Sequence, residues 1–344
     1  MQQITEKCFK YAICAATFAA TLQGCFATLP PPQVGCLPRP GLFTFFKLAD
    51  SSDLALEPKN RSHDRFPVKG IVYTTRAGFL DLAHVYNTVL LANDASFLIA
   101  SGLRNARRTV QLPVFDDSQV SVAFLSSLKK VTNGEFTADR NIPSTSRAIG
   151  ECVAFQLMAW HEIITWFGYQ TTRFWTEKPS AFTYEDIVSN TVGVQVFDEI
   201  PGELTMLSLS SSLRRVLNRL GLVDKGKAMH AINLVKGHWW GPRLYTKRSV
   251  DIGTKDGFVT PWLVPGLDSD PARDIGMPLS VPCHDQDGSY SVLISPSVKL
   301  RGRIQKSVPL VPEIIDTRVD FPFLVDVVRL QVKSELGDSA TKPD

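Results

Sequence analysis

The chain has little of what usually marks an enzyme or a nucleic-acid protein. Its charge is nearly balanced, with 37 Lys and Arg against 34 Asp and Glu. Removing Glu6, Lys7 and Lys10 with a leader barely changes that balance. No basic excess is available to neutralise phosphates, so no nucleic-acid partner is expected. Six cysteines occur in 344 residues and none forms a C-x-x-C pair, so neither a structural zinc site nor a thioredoxin-like motif is indicated. There is no G-x-S-x-G elbow, no Walker loop and no dinucleotide glycine motif. After the N-terminus no apolar run reaches membrane length, and there is no internal repeat.

The N-terminus is informative. Lys7 and Lys10 precede the uncharged stretch YAICAATFAATLQG, which ends at Cys25. Residues 1–24 read as a signal peptide, too short for a membrane span with ordinary flanks. LQGC resembles a bacterial lipobox, with Leu22, the small Gly24 and a lipidated Cys25, although Gln23 is a less usual occupant. The competing reading is a plain secretory signal cut near Ala27. Acyl chains on Cys25 would give more than one anchor, enough for stable attachment. Phe26, rather than Asp, resembles the sorting signal for the outer membrane, so a periplasm-facing, lipid-anchored protein is expected there. Residues 25–42 carry Pro30, Pro31, Pro32, Pro38 and Pro40 and form the expected extended tether. With Cys25 acylated, Cys36, Cys152 and Cys283 remain. Cys152 reads as a small buried apolar residue, and a Cys36–Cys283 bridge is one option for the others.

Hydrophobic residues make up 44% of the chain, enough to bury a full core. VKGIVYTT (68–75) reads as a buried strand and 79–102 as a long helix with Leu80, Ala83, Leu90 and Leu91 at helical spacing. TVQLPVF and SQVSVAFL read as strands joined by a turn at Asp116 and Asp117. Residues 147–167 are apolar almost all round, the pattern of a buried helix, with Gly168 as its stop. Thr183 and Asp186 fit the start of another helix. LSSSLRRVLNRLG and KAMHAINLVKG are two shorter ones. Beyond 240 the texture is of loops and strands, closing on FLVDVVRLQVKSEL as helix or strand. The expectation is one α+β domain over 43–335, with long buried central helices, flanking strands and a disordered tail at 336–344.

Several ionisable groups sit in or beside these apolar segments, and burying them is costly unless they pair or bind an ion. Asp81 and His84, three apart, would share a helix face. AWHEIITWFG (159–168) begins like the zinc-protease signature H-E-x-x-H, with His161 and Glu162 in place, but Thr165 stands where the second histidine belongs. In one large class the last zinc ligand is a carboxylate roughly twenty or more residues later. Glu185 and Asp186 fall in that range. His161, His84 and Glu185 or Asp186 therefore form one conceivable zinc site, but no cofactor is required by the spacing. The preferred reading is a polar cluster of His84, His161 and Glu162, with Glu162 as general base and Arg76 as a further candidate. Against these stand bland readings: His161 as a core histidine, Glu162 in an ion pair with Arg76 or Arg173, and Asp186 as a helix cap. Thr75 at a strand end, with His84, is a second arrangement, suited to acyl transfer. GHWWGPR and TPWLVPG add aromatic residues that either stack on an envelope glycan or pack in the core.

Taken in order, GIVYTTRAGFLDLAHV, WHEIITWFG, SAFTYEDIVSNTVG and DGFVTPWLVPG resemble a bacterial lipoprotein family, domain of unknown function 4056. The resemblance implies an envelope lipoprotein, and it brings no activity and no catalytic residues. In that family a cysteine often stands where this chain has Thr75, which weakens the acyl-transfer reading here. Two function classes remain. One is a hydrolase or acyl-transferase acting on an envelope glycan or lipid, including a divergent metal-dependent hydrolase. The other is a non-catalytic lipoprotein that binds a partner or glycan. The discriminating feature is whether Arg76, His84, His161, Glu162 and Glu185 converge on one cleft.

Overall fold

The computed structural model describes residues 70–125, 142–170, 177–239, 247–267, 276–283 and 289–341. The leader, Cys25, the proline tether, Cys36, Arg173 and the start of the expected domain lie outside them.

Strand β1 (Ile71–Thr74) pairs antiparallel with β2 (Gly78–Asp81), in register from Ile71 opposite Asp81 to Thr74 opposite Gly78. Gly78 has φ +67°, and a Cβ there would lie 2.1 Å from the Trp262 carbonyl oxygen, so only glycine fits. The long helix α1 (Leu82–Arg104) therefore starts later than its periodicity suggests. Phe79 and Leu80 are buried as strand residues, and Asp81 is the N-cap, its carboxylate accepting the Ala83 N–H at 2.7 Å. Asp81 and His84 thus do not share a helix face.

α2 (Ile142–Trp166) is the buried central helix, apolar on nearly every side as its sequence indicates. It stops at Gly168, whose φ is +90°, where the Tyr169 N–H returns to the Ile164 carbonyl at 2.8 Å. Trp160 is fully buried, donates from Nε1 to Ser118 Oγ at 3.1 Å and stacks on Phe321. α1 packs against both α2 and α3 (Asp186–Asp198). Glycines set how closely: a Cβ on Gly150 would meet Ser96 Oγ at 2.1 Å, and one on Gly193 would meet Thr88 Cβ at 2.6 Å.

β3 (Thr109–Phe115) and β4 (Ser118–Phe124) form the expected hairpin. Asp116 and Asp117, both with positive φ, make its two-residue turn. An antiparallel sheet continues through β7 (Tyr290–Pro296) to β8 (Ile315–Asp316), and a second small pair joins β5 (Phe258–Val259) to β6 (Leu279–Ser280). Helices α4 (Met206–Arg219) and α5 (Lys225–Leu234) match the two short helical patterns.

Two expectations for the C-terminal third are corrected, and one left between helix and strand is decided. Residues read as loop and strand contain helix α6 (Val298–Gln305), capped by Ser297 and burying Leu300 and Ile304, too short to show a period. The closing segment is helix α7 (Thr317–Leu336). The tail is not disordered from 336 onward: Asp338–Thr341 form a 3₁₀ turn, Ala340 is buried, and its carbonyl accepts the Arg248 N–H at 2.7 Å.

Cys152 is not a free apolar thiol. It is bonded to Cys283, with Cα atoms 5.0 Å apart, and ties the middle of α2 to the segment before β7. Trp239 and Trp262 are buried around Tyr184 in a small core with Ile71, Tyr73 and Phe79, so these two offer no stacking surface to a glycan. The main core runs from Val72 to Ala340, making one mixed α+β domain.

Candidate functional site

His84 lies in the first turn of α1, Glu162 one turn before the end of α2, and Asp186 is the first residue of α3. One donor atom from each of the three lies within 4.8 Å of the other two. Local chemistry orients every member. Asn190, one turn into α3, accepts from His84 Nδ1 at 3.1 Å, which turns Nε2 toward Asp186 Oδ1 at 3.6 Å. Asp186 Oδ2 accepts the Thr183 N–H and hydroxyl, both at 2.7 Å, leaving Oδ1 for His84. Glu162 Oε2 accepts the Phe182 N–H at 2.7 Å. Asp186 is therefore both the reach-back acid of a helix start and a member of the cluster. The N-termini of α1 and α3 both point here, a setting that favours negative charge.

The centre is rich in buried acid. Glu185, fully buried beside Asp186, has one carboxylate oxygen, Oε2, with no hydrogen-bond partner. Burial and the Asp186 charge push the Glu162 and Glu185 pKa values well above the usual carboxylate range. Burial also raises Asp186, against the opposing pull of His84 and Thr183. Burial alone would lower His84, but the charges of Asp186, Asp81 and Glu162 outweigh it and the net shift is upward. The counter-charge comes from Arg248, 2% exposed and hydrogen-bonded to the Pro179 carbonyl. Burial lowers its pKa to about 10, partly offset by Asp186, Glu185 and Glu162. The His84 side chain keeps 20% exposure, so the cluster is reachable from solvent on that side.

His161 lies beside this centre, not in the triad. Its Nδ1 is 2.7 Å from Asp116 Oδ2, whose other oxygen accepts the Tyr169 hydroxyl at 3.1 Å. Burial works to lower its pKa and the Asp116 hydrogen bond and charge raise it, with Asp186 adding to the rise. The side chain is 27% exposed. Next to Tyr169 a shallow polar cleft is lined by Asp117, Gln170, Lys299, Leu300 and Arg303.

Of the residues expected from sequence, His84, Glu162, Glu185 and Asp186 come together, and His161 stands close enough to His84 and Asp186 for their charges to interact. Arg76 does not join them: its side chain is exposed at the tip of the first hairpin, and its backbone pairs with Leu220 and Met277. Thr75 is at that tip too, against Gly221, at the far end of the hairpin from Asp81 and His84. Thr165 is buried with a hydroxyl that has no partner, so it supplies no substitute for the missing histidine. Sequence reasoning missed Arg248, which reads as half of an ordinary Lys–Arg surface pair. It also missed Asn190 and Asp116, the latter visible only as a turn residue.

No curated protein and no solved structure matches the chain. The family model described as Protein of unknown function (DUF4056) matches residues 59–248, and the chain belongs to that family.

Proposed function

We infer that this member of the family is a hydrolase of the cell envelope, held by lipid on Cys25 at the periplasmic face of the outer membrane. The observation that carries the hydrolytic reading is the convergence of His84, Glu162 and Asp186 from three helices beside an Asp116–His161 pair. The Asp116 carboxylate fixes His161 with Nδ1–H as donor, which leaves Nε2 to take a proton from an attacking water and return it to the leaving group. Glu162, His84 and Asp186 supply the field in which that water is polarised. Water is favoured over a side-chain nucleophile because the Thr75 hydroxyl lies at the far end of the hairpin from His84. The anchoring half rests on LQGC and the proline tether; no helix among the described residues is long and apolar enough to cross a membrane.

The test uses the full chain in detergent against chromogenic esters, amides and glycosides. Hydrolysis of one class should be lost in His161→Asn and in Glu162→Gln, with circular dichroism unchanged. No hydrolysis of any class, or hydrolysis that survives both substitutions, overturns the reading. The glycan-binding alternative loses Trp239 and Trp262 as stacking surface, since both are in the core.

A further inference from the structure

We propose that His84, Glu162 and Asp186 bind a divalent transition-metal ion, of the zinc or manganese class. This deepens the hydrolase reading and rests on the same residues, but metal content is measured without turnover, so either can fail alone.

The argument begins with acceptors that face each other. With Nδ1–H donated to Asn190, His84 Nε2 presents a lone pair to Asp186 Oδ1 at 3.6 Å. A pair at that separation is bridged by a proton or by a metal ion, and both occupants have the same two atoms to hold them. An ion about 2.0–2.2 Å from each donor spans an edge of roughly 2.8–3.1 Å at octahedral angles and about 3.3–3.6 Å at tetrahedral angles. The observed edge is close to that, and the third donor lies within 4.8 Å.

A second observation concerns the surroundings of the three donors. Each ligand has its remaining polar atom fixed by a donor or acceptor from the surrounding chain: Asn190 on His84, the Phe182 N–H on Glu162, and Thr183 on Asp186. Such outer contacts hold metal ligands in orientation and are what a preformed site requires. Around them Glu185 Oε2 and Asn190 Nδ2 are buried without hydrogen-bond partners among the described residues. Among the described residues, the buried carboxyls Glu162, Glu185 and Asp186 lie near one buried guanidinium, that of Arg248. Burial disfavours their charged forms, and a divalent cation would stabilise those forms in place of protons. One imidazole and two carboxylates, with no thiolate, suit zinc, manganese or ferrous ion better than a soft metal. His84 leaves the site open to solvent on one side, where a water would complete the coordination.

The full chain, purified in detergent without chelator, is analysed for metals, stripped with EDTA, and titrated calorimetrically with zinc and with manganese. One equivalent of ion should bind, and thermal unfolding should shift upward with ion concentration. His84→Ala and Glu162→Gln should each weaken binding tenfold or more. Without ion, Glu162→Gln should melt no lower than wild type, since burial already penalises a charged carboxylate there and the amide oxygen still accepts the Phe182 N–H; a structural ion pair with His84 would lose stability instead. His161→Asn should keep the ion and lose turnover, which separates the site from the chemistry. Failure of wild type to bind either ion at millimolar concentration, or equal binding by wild type, His84→Ala and Glu162→Gln, overturns the proposal.

Discussion

Replacing Glu151 by Gln should change how stability depends on pH, in a direction the structure fixes. Glu151 lies on α2 next to the bridged Cys152, and its Oε1 is buried without a hydrogen bond. Arg147, one turn back, approaches to 3.5 Å, but its guanidinium is committed to the Phe197 carbonyl and stacks over the Phe197 ring. Burial, with the added charge of Asp198, raises the Glu151 pKa from 4.5 to about 7, against the pull of Arg147. A carboxyl with a raised folded-state pKa contributes fully below its unfolded value and destabilises increasingly as pH climbs through the folded one. The shift converts at about 1.4 kcal/mol per unit to roughly 3 kcal/mol. Partial contact with water reduces this to about 1–2 kcal/mol. Denaturant midpoints of wild type and Glu151→Gln at pH 5 and pH 8 provide the measurement. The variant should gain that amount on wild type between the two pH values, whatever other groups titrate. An unchanged gap, or a gap that moves the other way, would refute the reasoning.

Other substitutions test packing and anchoring. Trp160→Ala removes a fully buried ring, its bond to Ser118 and its stacking on Phe321, and should cost about 3–5 kcal/mol in chemical denaturation. Gly193→Ala would force a Cβ to within 2.6 Å of Thr88 Cβ and push α3 from α1; it should cost about 1–3 kcal/mol and weaken zinc binding through displaced Asp186. Replacing Cys152 and Cys283 together by Ala should lower stability by roughly 2–5 kcal/mol, and reductant should reproduce the loss in wild type but not in the variant. Metabolic labelling with palmitate should mark wild type and not Cys25→Ala, and equal labelling would contradict lipid attachment there.

What could be read in advance follows from range. The α2 helix was legible because its apolar residues are contiguous and too numerous for any exposed face. The Asp116–Asp117 turn was legible because two strand patterns meet there. His84, Glu162 and Asp186 were suspected because charge in an apolar segment needs a partner. Their partners were not, because they come from distant chain: Asp116 is 45 residues from His161, and Asn190 is 106 from His84. Spacing carries no record of such pairings. Arg248 was hidden because a lysine beside it looks like solvent-exposed sequence. The first residues of α1 were misread because Phe79 and Leu80 satisfy helix and strand patterns equally, and hydrogen bonding to β1 decides between them. Likewise Cys152 was misread as a small apolar residue because it sits in an apolar helix, and only proximity across 131 positions pairs it with Cys283.

That bridge has a topological consequence. It closes residues 152 to 283 into a covalent ring, its two ends 131 positions apart in sequence. Glu162, Glu185, Asp186, Asn190 and Arg248 all belong to the ring, whereas His84 enters from outside it. A protease that cuts once anywhere within the ring leaves both new ends tethered, so the acidic half of the centre stays on one molecule and the nick is invisible until the thiols are reduced. In a compartment where proteases and oxidants coexist, the centre would outlast the continuity of its own backbone.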